Sequence, residues 1–118
     1  MLVVDDESDI VSTIKHGLTS NGFEVDAYDE PLKAIAEFEP KKYDLAIIDF
    51  KMPQMNGLEL YSQIKKQDKD VKICFLTAYE AYNEEFSKMF PNVEGQCFLR
   101  KPMSLKDLVS HVKSELDL

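Results

Sequence analysis

Leu45-Ala46-Ile47-Ile48-Asp49 is the stretch that decides the fold. Four apolar residues stand in a row without polar alternation, the pattern of a strand covered on both faces. Such strands belong to parallel sheets, whose neighbours arrive through crossovers of a dozen or more residues, usually helical. The run then ends on an acid. The stretch therefore predicts further apolar runs on either side, separated by segments of helical period.

Working outward, Leu2-Val3-Val4 and Phe23 to Ala27 lie upstream, and Ile73-Cys74-Phe75-Leu76 and Cys97-Phe98-Leu99 lie downstream. Between the first two runs, Val11, Ile14 and Leu18 repeat at helical spacing, and Asn21-Gly22 supplies a stop. A second helix starts around Pro31, a good first-turn residue, and aligns Leu32, Ile35 and Phe38. Gly57 precedes a third, with Leu60 and Ile64 one turn apart. A fourth, through Tyr82, Glu85, Phe86 and Met89, is cut short by Pro91 and Gly95. The last carries Leu105, Leu108, Val109, Val112 and Leu116 on one stripe, with Ser104 and Asp107 placed as a capping pair. Five strands and five helices predict one doubly wound α/β domain over residues 1–118.

Bulk properties agree. A chain of 118 residues buries roughly two-thirds of the surface its unfolded form exposes, enough for one core. The net charge of −8, with no block rich in Lys or Arg, argues against direct nucleic-acid binding. Cys74 and Cys97 sit inside apolar runs, without metal-ligand spacing, and read as small buried hydrophobes in a reducing compartment. No apolar stretch approaches the ~20 residues of a membrane span, and the N-terminus offers no basic segment followed by an apolar one. The expectation is a cytoplasmic protein without membrane contact.

In a sheet of this kind, ligands bind beyond the carboxyl ends of the strands. Strand one ends in Asp5-Asp6, strand three in Asp49 and strand four in Thr77, while strand five runs into Lys101-Pro102. Three clustered carboxylates repel one another and call for a cation, and hard oxygen ligands suit magnesium. Lys101 and Thr77 are then placed to hold phosphoryl oxygens, since phosphoryl transfer needs positioning and charge stabilisation above all. A carboxylate among such groups can act as a nucleophile and form an acyl phosphate. Each piece alone has a plainer reading: acids at a helix N-terminus for Asp5-Asp6-Glu7, a turn residue for Asp49, a helix cap for Thr77, a loop for Lys101-Pro102. Their joint placement at one edge outweighs those readings.

Together, Leu2-Val3-Val4-Asp5-Asp6, Ile47-Ile48-Asp49-Phe50-Lys51-Met52-Pro53 with Asn56-Gly57, Thr77-Ala78 and Lys101-Pro102 make the whole chain resemble a response-regulator receiver domain. The resemblance implies a flavodoxin-like sheet with strand order 2-1-3-4-5, the order for which flavodoxin and the chemotaxis receiver are the standard examples. It implies Asp49 as phosphoacceptor, magnesium (Mg2+) held by Asp5, Asp6, Asp49 and the backbone carbonyl of Lys51, and Thr77 and Lys101 on the phosphoryl oxygens. Phe98 stands where the family has its rotating switch aromatic, working with Thr77. Lys51 and Tyr79 flank the path of the water that hydrolyses the acyl phosphate, so they would tune its lifetime. The Lys101-Pro102 bond is typically cis in the family.

By the same resemblance, the donor is a sensor histidine kinase or phosphotransfer protein. The output surface is the face of the fourth helix, fifth strand and fifth helix, through which self-association is also expected. The chain would be a switch rather than an enzyme, one that assists its own phosphorylation and slow dephosphorylation. Two departures stand out: the segment from Thr77 to Lys101 is slightly longer than usual and lacks a Gly-Ala pair, and Met103 stands where an aromatic is common.

Other uses of the architecture fit less well. Asp5-Asp6-Glu7 would repel the phosphate that a flavodoxin cradles after strand one. A phosphohydrolase with an aspartate nucleophile typically has a second acid two positions on, where this chain has Lys51. The runner-up is a receiver-like binding module that works without phosphorylation, against which the full acceptor set counts.

Overall fold

The computed structural model describes residues 1–50, 52, 54–77, 97–100 and 103–117, and for Thr77, Cys97, Phe98 and Arg100 the backbone. In chain order these form β1 (Leu2–Val4), α1 (Ser8–Ser20), β2 (Asp26–Tyr28), α2 (Pro31–Glu37) and β3 (Leu45–Asp49). They continue with α3 (Gly57–Gln67), β4 (Lys72–Thr77), β5 (Cys97–Arg100) and a C-terminal helix (Leu105–Glu115). The fourth predicted helix lies outside the described residues.

All four strand pairings are parallel, and the order is β2-β1-β3-β4-β5, as the resemblance implied. The strand pleat sends alternate side chains to opposite faces, so each strand feeds two cores. Leu2, Val4, Ala46, Ile48, Ile73 and Phe75 join Ala34 of α2 and Leu60 and Ile64 of α3 on one face. Val3, Leu45, Ile47, Cys74 and Leu76 join Ile14 and Leu18 of α1 and Leu108, Val109 and Val112 of the C-terminal helix on the other. Truncating a fully buried Leu18 or Ile64 to Ala would cost about 2–5 kcal/mol. The sheet is thus clamped on both sides, and its strand ends are the free edges.

The helix boundaries follow local chemistry. At the end of α1, Gly22 takes φ +90° and the Phe23 N–H turns back 3.1 Å to the Leu18 carbonyl, while Asn21 Nδ2 donates to the Gly17 carbonyl at 2.8 Å. At the start of the C-terminal helix, Ser104 Oγ accepts from the Asp107 N–H at 3.1 Å, the expected cap.

Two expectations need correction, and one separation in sequence disappears in the fold. Strand pairing begins at Asp26, opposite Leu2, so β2 is Asp26–Tyr28 rather than Phe23 to Ala27. Phe23 and Val25 pack against the α1 side of the core ahead of the strand. In α2, Pro31 and Ala34 are buried and Ile35 and Phe38 of the expected stripe pack on the same core, but Leu32 is 51% exposed. With the proline buried at the first position, the inward face begins at Pro31 and leaves Leu32 at its margin. Cys74 and Cys97, remote in sequence, are register partners on β4 and β5.

The amino-end edge of the sheet is tied by Asp68, 4% exposed. Its Oδ2 accepts from the Lys41 N–H at 2.8 Å and its Oδ1 from the Asp70 N–H at 3.0 Å. Lys41 sits at φ +68°, which a side chain seldom tolerates, and its Nζ also meets Asp70 at 2.8 Å. The two backbone donors, that of Lys41 foremost, hold the Asp68 carboxyl below its ordinary range. A carboxyl so depressed contributes stability above the unfolded value of about 3.9, and that contribution is lost as pH falls through the folded value. Asp68→Asn should therefore lower the urea midpoint at pH 7, and the gap to wild type should close as pH falls below the unfolded carboxyl value of about 3.9. A gap independent of pH would contradict the latch.

Candidate functional site

The site forms where β1 and β3 end side by side. Val4 pairs with Ile48, and continuing that register one step sets Asp5 beside Asp49. By the pleat, both belong to the set that follows Val3 and Ile47 toward α1. Asp49 is the last residue of β3, opposite Leu76 of β4, so β3 delivers it between its two neighbours.

Asp5 is 1% exposed and Asp49 5%, unusual burial for carboxylates. Asp5 extends the β1–β2 ladder by donating its N–H to the Tyr28 carbonyl at 3.1 Å. Its Oδ1 accepts from the Glu7 N–H at 2.9 Å, and this turn leads the chain into α1, whose N-cap residue Glu7 makes no side-chain cap of its own. The carboxylates therefore sit by the amino end of α1, where the helix dipole favours negative charge. Asp6 completes the turn and is exposed.

The backbone after Asp49 is held from two sides. The Phe50 N–H donates to the Leu76 carbonyl at 3.1 Å, and the Phe50 carbonyl accepts from the Gly57 N–H at 2.7 Å. The Phe50 ring meets Phe75 edge-on, with centroids 6.2 Å apart. Asn56 caps α3 through its Oδ1, which accepts from the Glu59 N–H at 2.9 Å. Met52, buried against the α3 side of the core, anchors the loop between.

One carboxylate oxygen from each of Asp5, Asp6 and Asp49 lies within 4.8 Å of the others. At an effective dielectric of about 20, two unit charges at such a distance repel by roughly 3 kcal/mol. Oxygens about 2.1 Å from a magnesium ion lie at most about 4.2 Å apart. Only one pair can sit opposite in an octahedral shell, and neighbouring oxygens lie about 3.0 Å apart. The trio must therefore draw together to share one ion, and its all-oxygen donor set fits magnesium.

Of the other residues singled out in the sequence, Thr77 ends β4 beside Leu76 at this same edge, with Arg100 as its register partner. Phe98 lies on β5 opposite Phe75. Lys51, Tyr79, Lys101 and Pro102 lie outside the described residues. Two contributions escaped the sequence reading. One is the turn-forming role of Asp5, for which Asp at the position two before Glu7 was an available signal. The other is the contact of Gly57 with the Asp49 backbone.

The family model described as "Response regulator receiver domain" matches residues 1–113. The alkaline phosphatase synthesis transcriptional regulatory protein PhoP of Bacillus subtilis is 31% identical over 117 residues, covering 98% of this chain and 48% of that protein. The chain spans about half the length of the curated relatives it matches. Among solved structures, the chemotaxis protein CheY4 of Vibrio cholerae superposes with a TM-score of 0.84 at 27% identity, covering 96% of this chain and 94% of that one. The response regulator TrrA of Thermotoga maritima, in complex with Mg(2+)-BeF, gives a TM-score of 0.78 at 34% identity, covering 97% and 96%. With sequence, sheet order and acid cluster in agreement, the chain belongs to the response-regulator receiver domain family and serves phosphorelay signal transduction.

Proposed function

We propose that Asp49 is the phosphoacceptor of this receiver and that magnesium is bound by Asp5, Asp6, Asp49 and the backbone carbonyl of Lys51. The observation that carries the reading is the meeting of three carboxylate oxygens within 4.8 Å at the carboxyl edge of the sheet. When held by these residues, the ion would neutralise the acids and supply positive charge against the phosphoryl group. Asp49 attacks phosphorus through a carboxylate oxygen, and the bond from phosphorus to the donor breaks with its electron pair going to the donor. With a histidine kinase or phosphotransfer protein, that leaving group is an imidazole nitrogen. The Thr77 hydroxyl and Lys101 ammonium hold the remaining phosphoryl oxygens.

The chain acts as a switch rather than as a turnover enzyme, one receiver unit in a reducing, cytoplasmic setting. Small phosphodonors should label the wild type in magnesium, whereas Asp49→Asn should stay unlabelled and EDTA should abolish labelling. Equal labelling of the variant would remove Asp49 from the role.

Signal leaves the site when Thr77 moves toward the phosphoryl group and Phe98 fills the space it vacates. Lacking a hydroxyl, Phe98 distinguishes its two positions by packing alone. The face of the fourth predicted helix, β5 and the C-terminal helix then changes shape and takes up a partner or a second copy. Beryllofluoride with magnesium should shift amide resonances of β5 and the C-terminal helix and raise the sedimentation coefficient of a minor fraction. Changes confined to the Asp49 surroundings would contradict the relay.

Lys51 and Tyr79 set how long the acyl phosphate survives, by lying across the approach of water. Changing Lys51 to Asn and Tyr79 to Glu together should speed its decay by about tenfold or more, equivalent to about 1.4 kcal/mol of barrier. Decay at the wild-type rate after donor removal would show that neither side chain guards it.

A further inference from the structure

We infer that Gly57 is a positioning residue for the acid site: the first turn of α3 rests directly on the peptide that carries Asp49, and this contact fixes the backbone from which the Asp49 carboxylate reaches a metal ion. The inference rests on the magnesium reading proposed above.

The first observation is steric. A Cβ at position 57 would lie 2.8 Å from the Asp49 carbonyl oxygen and 2.9 Å from the Phe50 Cα. Both are backbone atoms, which cannot turn aside as a side-chain tip can. The second is the 2.7 Å hydrogen bond from the Gly57 N–H to the Phe50 carbonyl, which fixes the same peptide from the same side. On the opposite side, the Phe50 N–H is held by Leu76 of β4. The Asp49–Phe50 link is therefore gripped between a strand and a helix start, and the helix side of the grip is built on the absence of a side chain.

Magnitudes separate positioning from mere packing. To restore ordinary contact at 3.4 Å, an added Cβ must push the Asp49 carbonyl away by about 0.6 Å. Magnesium asks for near-ideal octahedral geometry, with ligand distances kept to within about 0.2 Å. A backbone shift of that size at Asp49 displaces the base from which its carboxylate must reach a shared ion. If α3 retreats instead, the Gly57–Phe50 hydrogen bond is lost and the loop carrying Lys51 is freed, which disturbs the same ligand set.

Gly17 provides an internal contrast. A Cβ there would come within 2.4 Å of Leu105, but only of Leu105 side-chain atoms, and the contact joins α1 to the C-terminal helix. Gly17→Ala is thus the same chemical change at a buried helix contact without a backbone neighbour at the acids.

The experiment compares magnesium titration calorimetry on the 118-residue chain for wild type, Gly57→Ala, Gly17→Ala and Asn56→Ala, with thermal melts in EDTA. Gly57→Ala should bind magnesium at least tenfold more weakly than wild type. Gly17→Ala should melt lower yet keep its magnesium affinity within twofold. Asn56→Ala removes the α3 cap without adding an atom, loosens the same docking and should weaken binding two- to fivefold. A folded Gly57→Ala with affinity within twofold of wild type would overturn the inference. Should Gly57→Ala fail to fold, an Asn56→Ala affinity indistinguishable from wild type would overturn it. No magnesium binding by the wild type would overturn the site reading itself, together with this inference.

Discussion

Parallel strands set equivalent positions side by side, and in this protein the residue that follows β1, Asp5, and the last residue of β3, Asp49, are both carboxylates. Folding therefore brings like charges together at the carboxyl edge of the sheet, two of them buried. The two apolar clusters of the described residues do not include these acids. The repulsion is offset in part by the amino end of α1 and by the Glu7 N–H that Asp5 accepts. A divalent cation offsets far more. A receiver fold with this edge is thus a structure that gains from magnesium, and a phosphoryl group can approach the acids only once that charge is supplied.

What keeps the acids at working distance is the stiffness of their supports. Apolar side chains on both faces clamp β1, β3 and β4, so the strand ends have little freedom to spread. Beyond the strands, the chain leaves Asp5 through a tight turn and leaves Asp49 through a peptide caught between β4 and α3. The far edge is tied separately, by Asp68 bridging the loop of Lys41 and the turn at Asp70. The amino end of the sheet thus carries a tie of its own, whereas the carboxyl end carries the charge repulsion, which binding relieves.

Much of this was legible in the residues. Continuous apolar runs such as Leu45 to Ile48 announced a parallel sheet, and reading what each strand delivers to its end brought Asp5, Asp6, Asp49 and Thr77 to one place. The strand order was not legible from pattern, since periodicity carries no information about which strands are neighbours; it came from the resemblance. Periodicity also failed where an element is short. In α2, Ile35 and Phe38 pack inward as the pattern expected, but Leu32, beside the buried Pro31 in the first turn, looks outward. At Phe23 to Ala27 an apolar run packs partly as a loop, because apolar character reports burial and not pairing. The neighbourhood of Cys74 and Cys97 and the contact of Gly57 with Asp49 depend on register and approach distances, which exist only once the chain is folded.

The central claim is that one carboxylate, Asp49, becomes an acyl phosphate when magnesium fills the acid cluster. Trapping that bond chemically tests it most directly. After treatment with a small phosphodonor, borohydride reduces an aspartyl phosphate to homoserine, and peptide mass spectrometry locates the change. The account predicts homoserine at position 49 alone, in magnesium and not in EDTA. Homoserine at Asp5 or Asp6, or at none of the three under conditions where a control receiver is converted, would contradict it.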